Sequence, residues 1–468
     1  MWQLAVITLI LGVLLHKTLQ IGRRDPRMPP GPPTLPILGN SHQIPVTGLY
    51  KQLREWALQY GSIFSLKVGP SSIIVLCDRE AIHKLLLDEQ HFRVQEAEAT
   101  VLMTRLLDKP EGFFNEIRRY TASVVTSITY GFRAPDMDSF WGHWTASMEP
   151  GAAPPVDVFT LLRYIPSSMA FWKRRALDAG KIMDTTWSKA RRLVEERRTR
   201  GERRNCIIDG LLDEYEEKGW PEQISQHAFT NLMGEIIEGG ADTTAAQLLT
   251  LVLAFALHPE VQRKAQVEID EACGSGRSPR WDDFLKLPYV NCIVKEGMRW
   301  RPVAVTALPH KVRQDDEYNG MLIPKDSTIF IPTWALHHTE ENYPDAEQFD
   351  PDRYLKHPKL ANDYAGSPEW ENRDHYNYGA GRRICPGIHL AERNMWRIAS
   401  KLLWAFEFAE PMDPITGKVV PLDPHAYNPG ILQAPLEFNV RIAPRSRAHV
   451  ETIRREFKEA EALLAQYD

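Results

Sequence analysis

The sequence predicts a mainly helical protein with a small β-rich part, carried on a single N-terminal membrane helix. Three observations predict it: long stretches whose apolar residues recur every three to four positions, shorter alternating stretches bounded by turn residues, and an apolar run at the start. The chain has 468 residues, 43% hydrophobic and 25% charged, enough for a substantial core. Lys plus Arg number 56 against 61 Asp plus Glu, a formal charge of -5, so no basic field argues for nucleic acid. The five cysteines (Cys77, Cys206, Cys273, Cys292 and Cys385) are odd in number, scattered and without a CxxC pair. That pattern argues against a disulfide framework and a structural zinc site.

Taking the elements in order, the apolar run Leu4 to Leu15 is followed by Lys17, Arg23, Arg24 and Arg27. Positive charge after the run favours a retained anchor with the body on the cytoplasmic side over a cleaved signal. The stretch "PPGPP", Pro29 to Pro33, reads as a stiff, extended spacer. The expected organisation is therefore an anchor over 1–21, a proline-rich hinge over 22–45, the main domain over 46–448 and a charged, exposed helix over 449–468.

Within the main domain, "IFSLKVGPSSIIVLCD" (63–78) reads as a hairpin and "REAIHKLLLDEQ" (79–90) as an amphipathic helix. Residues 97–131 read as two helices broken near Pro110, and 178–200 as another with a basic face. The stretch from Ile224 to His258 is apolar almost all round, the mark of a helix in the middle of a protein. Its centre, "EGGADTTAAQ" (238–247), puts two glycines, an acid and two hydroxyls where the flanks say core. Two readings stand: close helix packing with the threonines bonded back to the preceding turn, or a helix that widens over a ligand.

Glu296 and Arg299 are three apart and share a helix face. The segment "DEYNGMLIPKDSTIFIPTWALHH" reads as short antiparallel strands around Asn319-Gly320 and Pro324-Lys325. Last comes "HYNYGAGRRICPG" (375–387), with an uninterrupted helical pattern over 388–408 behind it. A cysteine in a glycine-rich loop before a helix has backbone N-H groups and dipole charge to favour a thiolate.

"YGAGRRICPG" (378–387) resembles the haem-binding loop of the cytochromes P450. "GGADTT" (239–244), Glu296-x-x-Arg299, "PDRY" (351–354), the proline-rich stretch and the anchor match the same family in the same order. The nearest resemblance is to membrane-bound fungal members that oxidise hydrophobic metabolites. It implies the cytochrome P450 fold and haem b held by Cys385 as thiolate ligand to the iron. It implies Asp242 and Thr243 beside the oxygen pocket, the first relaying protons and the second holding a water in place. Glu296, Arg299 and Arg353 would form an internal ion-pair network, Tyr378 would shield the sulfur, and His310 and Arg383 would meet the haem propionates. Val303, Ala304, Val305 and Leu308 would line an apolar substrate pocket.

The implied reaction inserts one oxygen atom from O2 into a lipophilic small molecule at the endoplasmic reticulum membrane. Electrons would come from NADPH through a separate reductase, since no G-x-G-x-x-G stands between a strand and a helix here. An enzyme that rearranges peroxides or dehydrates without a reductase is an alternative, against which the intact Asp242-Thr243 pair weighs. The resemblance departs at two points. Tyr378 stands where the family commonly has Phe. The segment carrying a Trp-x-x-x-Arg helix is missing after Gln90, for no tryptophan occurs between Trp56 and Trp141. Its loss removes a propionate contact, part of the reductase-facing surface and one pocket wall. A haem-binding chain with impaired turnover is therefore the second alternative.

Overall fold

A computed structural model describes residues 18–26, 28–45, 49–61, 63–68, 71–76, 89–143, 160–430 and 432–468. The apolar run of the expected anchor and nearly all of the expected helix over 79–90 lie outside them. The chain divides into two compact units, Met1–Phe92 and Arg93–Asp468.

In the first unit, helix α1 (Leu49–Tyr60) precedes an antiparallel pair, β1 (Ile63–Val68) and β2 (Ser71–Leu76). Their register runs from Ile63 opposite Leu76 to Val68 opposite Ser71. Trp56 of α1 meets Phe64 of β1 edge-on at 6.3 Å. The proline-rich stretch departs from expectation: it is docked on β1 and does not stand free as a spacer. Proline offers only carbonyls, and donors come to them. Arg24 donates to Gly31 and Pro32, at 2.8 and 2.7 Å, and to Ser65 at 2.9 Å. Ser65 donates to Pro29 from its hydroxyl at 2.6 Å, and to Pro30 from its N-H at 2.7 Å. Gly31 has no substitute there, because a Cβ would stand 2.1 Å from the Ser65 carbonyl oxygen.

Helix α2 (Glu89–Asp108) leads into the second unit, followed by a 3-10 turn at Pro110–Gly112 and α3 (Phe113–Tyr130), the break expected near Pro110. Then come α4 (Phe171–Thr199), α5 (Ile207–Lys218), α6 (Gln226–Leu257), α7 (Pro259–Cys273) and α8 (Pro288–Trp300). Ser225 caps α6 by accepting from Ala228 N-H at 3.0 Å. From Thr244 to Ala256 every residue of α6 is buried. Among the described residues α6 is the one helix long and apolar enough to cross a membrane. Its burial makes it the core helix instead, packed against α3 and α8.

The β-rich part is a set of short pairs. β3 (His310–Lys311) pairs with β6 (Thr328–Ile329), and β4 (Asp316–Tyr318) pairs with β5 (Met321–Ile323) around Asn319-Gly320. Both turn residues have positive φ, +50° and +76°, the geometry of a two-residue hairpin. Helix α9 (Ile388–Ala405) ends earlier than the helical pattern suggests. Phe406–Ala409 becomes β7 and pairs with β8 (Arg441–Pro444), because Phe406 and Phe408 turn inward while Glu407 turns out. The last helix, α10 (Arg447–Leu464), is charged but not exposed all round. Ile453 and Leu464 are buried, and Phe457, Ala460 and Leu463 pack against Ala97 and Val101 of α2.

Candidate active site

The site begins with the main core, which joins α3, α6, α8 and α9. Ile384, Cys385 and Leu390 pack against the cluster that contains Ala245, Leu248 and Leu249 of α6. Cys385 follows a 3-10 turn (Gly381–Arg383) and precedes α9. Its N-H donates to the Tyr378 carbonyl at 2.9 Å, and Gly379 N-H donates to Tyr376 at 2.8 Å. Gly379 and Gly381 have φ of +76° and +66°, which side chains with a Cβ adopt only under strain. Burial pushes the Cys385 thiol up, opposed by the Gly387 N-H, which donates to the sulfur. The Tyr378 ring is buried and its hydroxyl has no hydrogen-bond partner among the described residues. Cys206, Cys273 and Cys292 are thiols that burial pushes up to about 11.

On α6, Gly239 and Asp242 are exposed and Thr243 is half-buried, one face of an otherwise buried helix. The helix runs unbroken through this point. Thr243 Oγ1 donates to the Gly239 carbonyl at 2.7 Å, so the threonine is bonded back to the preceding turn and no local widening is present. Gly240 packs at 3.0 Å, measured from an added Cβ, against Val125 of α3, whereas an added Cβ at Gly239 meets nothing within 4 Å. Although Asp242 is open on one side, the protein around it desolvates its carboxyl, which is pushed up to about 6 against the pull of Arg118. Glu238, one turn earlier, is pushed up to about 7 by burial and by Glu235, although Trp187 Nε1 donates to it at 3.2 Å.

The polar network lies behind the loop, on α8. Arg299 donates from Nε and Nη2 to Glu296 at 2.7 and 2.8 Å. Its remaining donors reach the carbonyls of His337, Ala346 and Gln348 at 2.9, 2.8 and 3.0 Å. Glu296 also accepts from the Asp350 N-H at 2.8 Å, and Arg353 Nε stands 3.7 Å away without a hydrogen bond. The structure thus brings Glu296, Arg299 and Arg353 together. His310 and Arg383 stay apart from this group: His310 is half-buried on β3 and Arg383 is exposed in the 3-10 turn. Of the proposed pocket wall, Val303 is buried, Leu308 is 74% exposed, and the Val303 and Val305 carbonyls accept from Gln433 and Trp334.

A second buried network escaped the sequence reading. Lys295, next to Glu296, pairs with Asp374 and stands 3.7 Å from Glu392. The imidazole of His337 accepts from Tyr376 N-H at 2.9 Å. Lys295 gave no signal because its partners lie far along the chain and a lysine on a helix is ordinarily a surface residue.

A profile of the family described as Cytochrome P450 matches residues 29–116 and 110–418. The chain belongs to the cytochrome P450 family. It is 37% identical to the cytochrome P450 monooxygenase macC of Penicillium terrestre, covering 99% of this chain and 98% of the relative. It is 38% identical to the monooxygenase patI of Aspergillus clavatus (98% of each) and 36% identical to atE of Aspergillus terreus (98% and 96%). The alignment with macC is 531 positions long, more than the 468 residues of this chain. That relative therefore has residues with no counterpart here, in line with a missing internal segment.

The P450 family holds haem b through a cysteine thiolate. The residues present fit that group: Cys385 is half-buried with a backbone N-H aimed at its sulfur. Beside the sulfur, an added Cβ at Gly387 would stand 3.8 Å from Cys385 Sγ, and one at Gly379, Gly381 or, on α6, Gly239 would meet nothing within 4 Å, so the backbone lies open at these points.

Proposed function

We propose that the chain is a monooxygenase that places one oxygen atom from O2 into a lipophilic small molecule, in fungal secondary metabolism. NADPH-derived electrons would reach it from a separate reductase. What carries the reading is Cys385, set in a glycine-rich loop before a core helix, in a chain of which 98–99% aligns with P450 monooxygenases. The haem held there supplies the oxygen-activating chemistry.

The chain's own residues do the rest. Cys385 binds the group, and the Gly387 N-H keeps negative charge on the sulfur tolerable. Arg383 and His310 are free to meet carboxylates, since neither has a side-chain partner among the described residues. Asp242, with its carboxyl near pKa 6, can hold a proton and release it at neutral pH. Thr243 commits its hydrogen to Gly239 and so faces the open side as an acceptor, able to orient a water. Val303, Ala304, Val305 and Leu308 are proposed as one pocket wall. The apolar run Leu4 to Leu15 with basic residues behind it supports an anchor in the endoplasmic reticulum membrane, with the catalytic part in the cytoplasm.

The test is the spectrum of the purified, reduced protein under carbon monoxide. A band at about 450 nm, abolished by Cys385→Ser, is expected for a thiolate ligand; a chain that retains no haem sinks the proposal. A second reading, haem binding with impaired turnover, is favoured by the internal residues that macC has and this chain lacks. Retained haem with no NADPH-dependent product, given a reductase and a panel of lipophilic compounds, selects it.

A further inference from the structure

Lys295 is wholly buried, and so are the two carboxylates it faces. Asp374 lies before the cysteine loop and Glu392 lies after it, on α9. One ammonium on α8 therefore reaches both flanks of the loop that carries Cys385. Each flank is fixed further. The Asp374 carboxylate accepts from His375 N-H at 2.8 Å, and its carbonyl accepts from the hydroxyls of Tyr343 and Tyr354 at 3.3 Å each. Glu392 accepts from the Ala361 N-H at 2.7 and 2.9 Å. From Asp374 the chain runs through His375 and Tyr376 to Gly379, and Arg373 donates to the carbonyls of His375 and Gly379 at 3.0 and 2.7 Å.

A buried ammonium between two carboxylates is a poor source of net stability, because desolvation offsets the attraction. Apolar side chains could fill the same space at less cost. What such an arrangement supplies is direction, since the charges are satisfied in one relative placement of α8, residue 374 and α9.

We propose that Lys295 is a positioning residue that clamps the two flanks of the loop and so holds the Cys385 sulfur where a haem iron would meet it. The clamp rests on the haem-thiolate reading given above. It differs from the Glu296-Arg299 pair, which ties α8 to residues 337–350 and not to either flank of the loop.

The experiment uses the full-length, haem-loaded protein and four variants: Lys295→Met, the near-isosteric Asp374→Asn, the double variant, and Glu98→Gln. The last weakens another buried pair, Arg119–Glu98, whose partners lie on α2 and α3. Thermal stability and the lifetime of the thiolate-type carbon monoxide band are followed in each.

The clamp predicts that Lys295→Met and Asp374→Asn shorten that lifetime by about 10- to 100-fold, the usual effect of losing an outer-shell partner. The double variant, in which no charge is left unpaired at residues 295 and 374 and Glu392 keeps its Ala361 N-H, should regain part of the thermal stability lost in Lys295→Met, yet keep the short lifetime. Glu98→Gln should lose stability while its band lasts as long as the parent's. If Lys295→Met does not fold, Asp374→Asn and the double variant carry the test. Parental band lifetimes in those variants, or an equal shortening in Glu98→Gln, overturn the clamp alone. A parent protein with no thiolate-type band overturns the haem-thiolate reading and the clamp together.

Discussion

Glu296 and Arg299 face each other across one turn of α8, joined at 2.7 and 2.8 Å with neither side chain exposed to solvent. Every nitrogen of the guanidinium is used, and three of its five hydrogen bonds go to main-chain carbonyls of residues 337–348. Arg299→Met leaves a buried carboxylate and three carbonyls without their donor. The expected loss is about 3–5 kcal/mol in urea unfolding. Arg299→Lys should recover little of it, because an ammonium cannot reproduce the planar fork.

Two glycines of α6 predict opposite outcomes. A Cβ at Gly234 would stand 2.4 Å from the buried ring of Trp187, whereas one at Gly239 meets nothing within 4 Å. Gly234→Ala should cost about 1–3 kcal/mol by overpacking. Gly239→Ala should stabilise by up to ~1 kcal/mol through helix propensity. Thermal unfolding of the two variants side by side checks both signs.

The N-terminus of the same helix depends on one hydroxyl. Ser225→Ala removes the acceptor of the Ala228 N-H and should cost about 1 kcal/mol. Ser225→Asp should restore most of that in the same denaturation assay.

Acid should loosen the segment before the cysteine loop. Burial pushes His375 down from 6.5 to about 4, with Asp374 pulling the other way and Lys295, Arg373 and His357 adding to the drop. Between those values the unfolded chain takes up a proton that the folded one refuses. The contribution of His375 is complete above pH 6.5 and is lost as pH falls from 6.5 toward 4. His375→Asn, which does not titrate, should flatten that part of the stability profile. An unchanged slope between the two proteins would contradict it.

Arg383 makes no side-chain hydrogen bond or ion pair with another described residue and stands two positions before Cys385. With no Trp-x-x-x-Arg pattern between Trp56 and Trp141, Arg383→Ala should lower haem retention after gel filtration more than His310→Ala does. Equal retention in parent and variant would remove Arg383 from the proposed propionate set.

Much of this was legible in local patterns. Apolar spacing marked α3 and α6, Asn319-Gly320 marked its hairpin, and the three-residue interval placed Glu296 and Arg299 on one face. Each of these depends on neighbours in the chain, so one stretch of sequence carries the whole signal. Where partners are remote, the reading stopped short or went astray. The helical pattern through Phe408 hid β7, whose partner β8 lies more than thirty residues away. The charged look of α10 hid the face it lays on α2, and the proline-rich stretch gave no sign that Arg24, Ser65 and Asn40 would bind its carbonyls.

The sequence by itself determined which residues are chemically equipped: a lone cysteine among glycines, an acid and a threonine on a core helix, an acid-base pair in register. Only the tertiary structure decided what stands behind them. Lys295 meets Asp374 and Glu392 because α8, the loop and α9 converge in one core. Thr243 bonds back to Gly239 where α6 is an unbroken helix. The physical reason is the same in both cases: burial removes water as a partner, so each polar group must be answered by whatever the fold brings within reach.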